Sequence, residues 1–428
     1  MTAVLEPLSW AYPQDIPGNR LPPEDTQWPR PYHLLDDKNI WRELRLLAKP
    51  QSKMFESGIH VDSVNFQPAP GSRTQDRYVV KQIDVHGRSW TFTGVFDGHL
   101  GEATVEHVAH HLPIIVYEFL TAACSPTYIP NHAKISSLLS ESIVAFDNAI
   151  ARDVLDIFGG IDGLEEFSDA AISSIINDQY LGGTRYKRAL LCMYGTTALV
   201  ALTDPDRQHL WVANLGDCQA YMVTQGHCDW AVERLTVEHN GSNDAELERV
   251  RHEHPNEPEC IVDRRVLGAL APTRCIGDIP FKQPPEFSRR ILYNIMPGFQ
   301  DTSPWEAFLQ RNRTPPYVTA QPDVIHRELA PQGSTAYLIM ASDGFSDLCS
   351  DEIYMDAGTE RVILDWARDM SVHPGLIEGQ PKTDNMALRL LHRAIGGDDR
   401  RRVSQILTLE SNAGEQWIDD TSIVVRTL

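Results

Sequence analysis

Several apolar runs in this chain end on, or start from, aspartate. "GVFDGH" places Asp97 after Val95 and Phe96, and "WVANLGD" ends on Asp217. "LIMASD" ends on Asp343, with Asp347 four residues on, and "WIDDTSIVV" sets Asp419 and Asp420 before the last apolar run. Runs of this kind, rich in Val, Ile, Phe and Trp, read as buried strands. A single Asp-Gly after a strand is more often a turn than a site. A set of them is a different matter. If the strand ends converge, several carboxylates share one small space, and like charges that close cannot all stay ionised unaided. Divalent cations relieve the repulsion. A site made of oxygens alone suits Mg²⁺ or Mn²⁺ and not zinc.

The elements around these aspartates predict the fold class. "YVVKQIDV" and "SWTFTGVF" read as strands joined by a turn. "TTALVALT", "HLWVANLGD", "CQAYMV", "WAVERLT", "AYLIMASDG" and "TSIVVRTL" follow as further strands. Val105, Val108, Ala109 and Leu112 recur at helical spacing, with Pro113 as a kink, and Leu139, Ile143, Phe146 and Ile150 mark a second helix. "GLEEFSDAAISSIIND" predicts a third, and "TERVILDWARDM" and "NMALRLLHRAIG" two late ones. Hairpins and helix pairs come in blocks with no βαβ rhythm, which argues for α+β with antiparallel sheets. Residues 1–35 are rich in Pro and Trp and read as an extended arm. "DDKNIWRELRLLAKP" then predicts a short helix capped by Asp36 or Asp37 and ended by Pro50. The expected division is therefore an N-terminal extension over 1–50 and one domain over 51–428, with a proline-rich insertion around 280–316.

The net charge of −21 argues against nucleic acid or an anionic membrane surface as a partner, since either would need a basic stripe. Seven cysteines, an odd number with no C-x-x-C, form neither a disulfide framework nor a zinc ribbon and fit a reducing compartment. The N-terminus has no apolar signal core, and Glu6 and Asp15 precede its first Arg, so it makes a poor mitochondrial presequence. The expected location is intracellular, in cytoplasm or nucleus, with mitochondria as the alternative.

The motifs that carry the aspartates resemble those of the metal-dependent protein serine/threonine phosphatases, the protein phosphatase type 2C family. "DGHLG" resembles the family's Asp-Gly-His-Gly-Gly, "ANLGDCQA" its Gly-Asp-Ser-Arg, and "TRCIGD" its Ser-Arg-x-x-Gly-Asp. "ASDGFSD" and "IDDTSIVV" resemble its last two motifs, in the same order, over about residues 51–428. "ELERVRHEHP" and "TPPYVTAQPDV" further resemble the pyruvate dehydrogenase phosphatase branch. The resemblance implies a four-layer α-β-β-α sandwich of two antiparallel sheets flanked by helix pairs. It implies metal-dependent hydrolysis of phosphoserine and phosphothreonine by a metal-activated water, on phosphoprotein substrates and by a monomer. By position, Asp97 bridges two Mg²⁺ or Mn²⁺ ions and the Gly98 carbonyl binds one of them, while Asp343 and Asp419 hold the other. Asp217 and Asp347 match a weaker third metal site. His99 matches the general acid and Asp76 a catalytic-site aspartate, whereas Asp278 is read as structural.

The chain departs from the family pattern in four places. Gln75 stands for a Glu that holds a metal-bound water, and Gly71 falls where the phosphate-binding Arg belongs. Arg73, two residues on, is the candidate replacement. Cys218 and Gln219 replace Ser and Arg, and Leu100 replaces a Gly. No direct metal ligand is lost. The alternative reading is a catalytically weak or inactive phosphatase-like binding or regulatory module. A nuclease or small-phosphoester hydrolase has only the carboxylates in its favour. His107, His110, His111, His252 and His254 read as helix-surface residues and not as ligands.

Overall fold

Along the strand Ala198–Thr203, Ala198, Val200 and Leu202 enter one apolar cluster, while Leu199 and Ala201 are fully buried as well. A strand covered on both faces needs no polar alternation, which is why "TTALVALT" reads as a nearly continuous apolar run. The computed structural model describes residues 8–25, 27–299, 301–329, 335–350, 358–372, 385–412 and 414–428. The first seven residues of the expected 1–50 extension lie outside the described residues. The chain divides into two compact units, the first made of Met1–Tyr78, Gln219–Thr236 and Ala330–Leu428, the second of Val79–Cys218 and Val237–Leu329.

The second unit is built on a five-stranded sheet. Its order is Asp323–Glu328, His209–Leu215, Ala198–Thr203, Arg88–Phe96, Arg77–Val85, and its registered pairs are antiparallel. The helices Glu102–Ala123 and His132–Leu155 pack on each other and on this sheet through Val105, Val108, Leu112, Leu139, Ile143 and Ile150. The first of them runs through Pro113. The expected third helix is broken: a 3-10 turn over Asp162–Glu166 is followed by a helix over Asp169–Ile176. The break falls at Ser168, whose Oγ accepts from the Ala171 N–H at 3.2 Å. A serine that caps a new helix competes with continuing the old one. The proline-rich segment carries short helices over Pro285–Arg290 and Ser303–Leu309. Phe308, Leu309 and Tyr317 bury with Leu247 and Val250 in a separate apolar cluster.

The first unit is built on a six-stranded sheet, also antiparallel in its registered pairs. Its order is Trp230–Arg234, Gln219–Gln225, Ala336–Ala341, Thr421–Thr427, His60–Phe66, Gln51–Met54. The helices Asp37–Ala48, Gly358–Val372 and Met386–Ala394 lie on it. Asp36 is the residue that caps the first of these, accepting from the Asn39 N–H at 2.8 Å. Leu8–Ala11 pairs with Arg30–His33, and Ala11, Ile16, Leu21 and Tyr32 bury in the same cluster as Trp41, Trp366 and Trp417. The strand His60–Phe66 has no clean sequence signature because Asp62 is buried in it, accepting from the Met386 N–H at 2.6 Å. The fold class is α+β. Each unit carries helices on its main antiparallel sheet.

Candidate active site

In the second unit, Asp97 follows directly on the strand Arg88–Phe96. Its N–H donates to Thr197 Oγ1 at 3.0 Å, and its carbonyl accepts from the Thr197 N–H and Thr196 Oγ1, both at 2.9 Å. The backbone is therefore pinned at both polar groups, which aims the side chain. A carboxylate oxygen of Asp97 lies within 4.8 Å of one of Asp217. Asn240 Nδ2 donates to Asp217 Oδ2 at 3.0 Å.

Gly98 and His99 form a two-residue strand that pairs with Gly195–Thr196, which pairs in turn with Ile276–Gly277. This small sheet brings His99 against Asp278, with Nε2 and Oδ2 at 2.7 Å. A Cβ on Gly195 would collide with both the Asp278 carboxylate and His99 Nε2, so glycine is required there. Asp278 itself sits in the left-handed region, at φ 49°. Burial lowers the His99 pKa, but the Asp278 carboxylate, its hydrogen bond and nearby Asp217 outweigh burial and hold it above the ordinary value. Burial likewise pushes Asp278 up, and the His99 charge and hydrogen bond bring it below the usual carboxylate range. Lys282 Nζ donates to Asp147 Oδ1 at 2.7 Å and to the Cys275 carbonyl at 2.8 Å, clamping the loop that carries Asp278. Asp278 is thus the orienting partner of His99, a role that the sequence reading passed over. The available signal was that an aspartate between "CIG" and "IPF" must be buried, and a buried carboxylate needs a partner.

In the first unit, Asp343 opens the helix Asp343–Cys349 just after the strand Ala336–Ala341, and Asp347 lies one turn further on. Asp76 Oδ2 accepts from Ser342 Oγ at 2.6 Å. Asp420 accepts from the Gln75 N–H at 2.7 Å and from Gln67 Nε2 at 2.9 Å. Asp419 Oδ1 accepts from the Asp420 N–H at 2.9 Å, and its Oδ2 forms an ion pair with Arg20. Burial raises Asp76 to about 7, and the charges of Asp420 and Asp343 add to the shift. Three buried oxygens in this nest have no hydrogen-bond partner: Asp343 Oδ1, Asp76 Oδ1 and Gln75 Oε1. Buried acceptors without donors are rare. An oxygen-coordinated dication with its waters would satisfy all three, so the residues fit the metals that the sequence implies. Arg73 is exposed.

Two histidines are not the helix-surface residues expected. His254 is buried, its Nδ1 2.9 Å from Thr314 Oγ1 and its ring stacked on Tyr317. His107 is half-buried and stacked on Phe146, and burial together with the charges of His111 and His110 takes its pKa to about 4. Apolar residues at helical spacing around both sites hid this burial.

The family profile described as Protein phosphatase 2C matches residues 161–363, which include Asp217, Asp278 and Asp343. Over that stretch the chain is similar to the protein phosphatase 2C family. A human relative, the mitochondrial pyruvate dehydrogenase phosphatase 2, is 33% identical over 270 residues, 56% of this chain and 49% of that protein. A protein phosphatase 2C homolog of Schizosaccharomyces pombe is 28% identical over 434 residues, 96% of this chain and 87% of that protein. The chain spans about half the length of the mammalian pyruvate dehydrogenase phosphatases it matches. A solved serine-threonine phosphatase 2C from Toxoplasma gondii aligns over 86% of this chain and 94% of its own, at 16% identity and a TM-score of 0.43. Among the described residues, no helix is long and apolar enough to cross a membrane.

Proposed function

We propose that this chain hydrolyses phosphoserine and phosphothreonine in proteins, with two divalent cations, Mg²⁺ or Mn²⁺, as cofactors. The observation that carries the reading is the buried carboxylate nest of the first unit with its donor-free oxygens on Asp343, Asp76 and Gln75. Asp97, the Gly98 carbonyl, Asp343 and Asp419 are the proposed ligands, with Asp217 and Asp347 for a weaker third ion. Bound there, the cations would lower the pKa of a water and neutralise phosphoryl oxygens.

The side chains do the rest. Asp76 has one buried oxygen without a donor, which suits it to accept a hydrogen bond from a water at the nest. His99 has Nε2 held by Asp278, so Nδ1 is the nitrogen left to hand a proton to the departing seryl or threonyl oxygen. No cysteine is needed as a nucleophile, and burial pushes the Cys192, Cys275 and Cys349 thiols up. The substrate is a phosphoprotein and the acting species a monomer. Since mammalian and yeast relatives are named as mitochondrial pyruvate dehydrogenase phosphatases, phosphorylated pyruvate dehydrogenase is the first protein substrate to assay. The deciding experiment is phosphate release from a phosphopeptide with Mn²⁺, with Mg²⁺ and with a chelator. Release that requires the metal supports the enzyme. No release at saturating Mn²⁺ in a protein that binds Mn²⁺ replaces it with the binding-module reading.

Gln75 supplies a sharper test. Its amide carbonyl is buried without a donor while its backbone N–H holds Asp420. It can accept from a water but brings no charge. Losses in such outer-shell groups typically cost about 10–100-fold in metal affinity or activity. Gln75→Glu is expected to lower the Mn²⁺ concentration for half-maximal activity by roughly tenfold or more, with less change in the saturated rate. An unmoved midpoint in a metal titration would show that position 75 does not serve the cations.

A further inference from the structure

The stretch from Ile16 to Leu21 runs along the carboxylate nest of the first unit and is held there at several points. Ile16 and Leu21 bury in the apolar cluster. The Asn19 side chain donates to the Leu21 carbonyl at 3.0 Å and accepts from the Leu21 N–H at 3.1 Å. The Arg20 N–H donates to the Trp417 carbonyl at 3.0 Å. Gly18 has a φ of 63°, and a Cβ there would lie 2.8 Å from Asp347 Cβ, so this backbone passes directly over the helix that carries Asp343 and Asp347. With its neighbours fixed in this way, Arg20 places its guanidinium on Asp419. The Arg20 side chain is 48% exposed and that of Asp419 15%, so the cation sits on the nest with part of its surface open to solvent.

A phosphoryl group arriving at the nest has three non-ester oxygens, more than the proposed cations need engage. It needs hydrogen-bond donors that carry positive charge. A guanidinium has five N–H donors in a planar fork. One nitrogen engaged by Asp419 leaves others for a phosphate, and a bidentate pair of this type is among the stronger hydrogen-bonded contacts. The ion pair also spends only part of the acceptor capacity of Asp419, since each carboxylate oxygen has two lone pairs.

We propose that Arg20 is the phosphate-binding cation of this site, oriented by Asp419 and delivered by the N-terminal segment. The inference deepens the phosphatase reading above and rests on it. Position 71 is a glycine, whereas Arg20 already forms an ion pair with a carboxylate of the nest.

The test uses the full chain saturated with Mn²⁺, as wild type, Arg20→Ala and Arg20→Lys, with matched thermal melts to confirm folding. Two quantities are read: KM for a phosphopeptide, and the Kd of inorganic phosphate by calorimetry. A charged hydrogen bond is worth roughly 1.5–3 kcal/mol, so Arg20→Ala is expected to raise both by about 10–100-fold. Arg20→Lys keeps the charge but loses the fork and falls between the two. The Mn²⁺ affinity should stay within about threefold. Equal phosphate affinity in wild type and both variants overturns the proposal. So does a loss of Mn²⁺ affinity with phosphate binding unchanged at saturating Mn²⁺, which would leave Arg20 only a brace for Asp419. A wild type that releases no phosphate, yet binds it in an Arg20-dependent way, overturns the phosphatase reading and supports Arg20 as the anion ligand.

Discussion

His99→Gln is expected to slow phosphopeptide hydrolysis by about 10²–10⁴-fold, the usual worth of a positioned general acid. The loss should be smaller on p-nitrophenyl phosphate, whose leaving group needs little protonation. Asp278→Asn removes the carboxylate that holds His99 Nε2 at 2.7 Å and should slow the same reaction by a smaller factor. The two residues act as a unit, so the double variant should be no slower than His99→Gln alone. Steady-state rates of the four proteins on both substrates check this. Equal losses on the two substrates would assign His99 a structural role, and strictly multiplicative losses would separate Asp278 from it.

Glu246→Gln carries the largest expected effect on stability. Glu246 is buried and accepts from Arg274 at 2.6 and 3.0 Å, from Arg249 at 2.9 Å and from Thr273 at 2.7 Å. Breaking a buried ion pair by removing one charge costs about 3–5 kcal/mol, because the partner is left uncompensated. The network reaches the candidate site. Arg274 also holds Asp323 at 2.9 Å, Asp323 lies 3.0 Å from His239 Nε2, and the His239 N–H donates to the carbonyl of Gly216, next to Asp217. Burial raises the Glu246 pKa, but the hydrogen bonds from Arg274, Arg249 and Thr273 outweigh it and hold the pKa far below the ordinary 4.5. A depressed carboxylate pKa gives stability that is complete above the unfolded value and lost as pH falls towards the folded one. Denaturant melts of wild type and Glu246→Gln should therefore differ most above about pH 5 and converge in acid. A gap that stays constant into acid would show that the ionised form of Glu246 contributes nothing.

Much of the fold was legible because it rests on local periodicity. The helices at 102–123, 132–155 and 386–394 and the strands at 198–203, 209–215 and 421–427 carry their apolar residues where the period demands. Elements that depend on distant partners were not legible. His60–Phe66 is a strand because it pairs with Thr421–Thr427, more than three hundred residues away, while its buried Asp62 is held by the Met386 N–H. Asp323–Glu328 is a strand because it pairs with His209–Leu215, and its own residues are half exposed. The Pro/Trp-rich N-terminus read as an arm. It pairs as a hairpin and buries Ile16 and Leu21, and that contact is what sets Arg20 on Asp419.

The sequence by itself determined the chemistry on offer: aspartates at strand ends, a histidine two residues from one of them, and motif order enough to expect metal-dependent phosphate-ester hydrolysis. Oxygen donors and their place along the chain are properties of residue type and spacing. Tertiary structure alone decided which side chains act on one another. That Asp278 holds His99, that Gly195 must be glycine to allow it, and that Arg20 reaches Asp419 depend on contacts between residues far apart in sequence. Such contacts leave no period and no spacing to read, because they are fixed by how separately formed strands and helices bury their apolar faces.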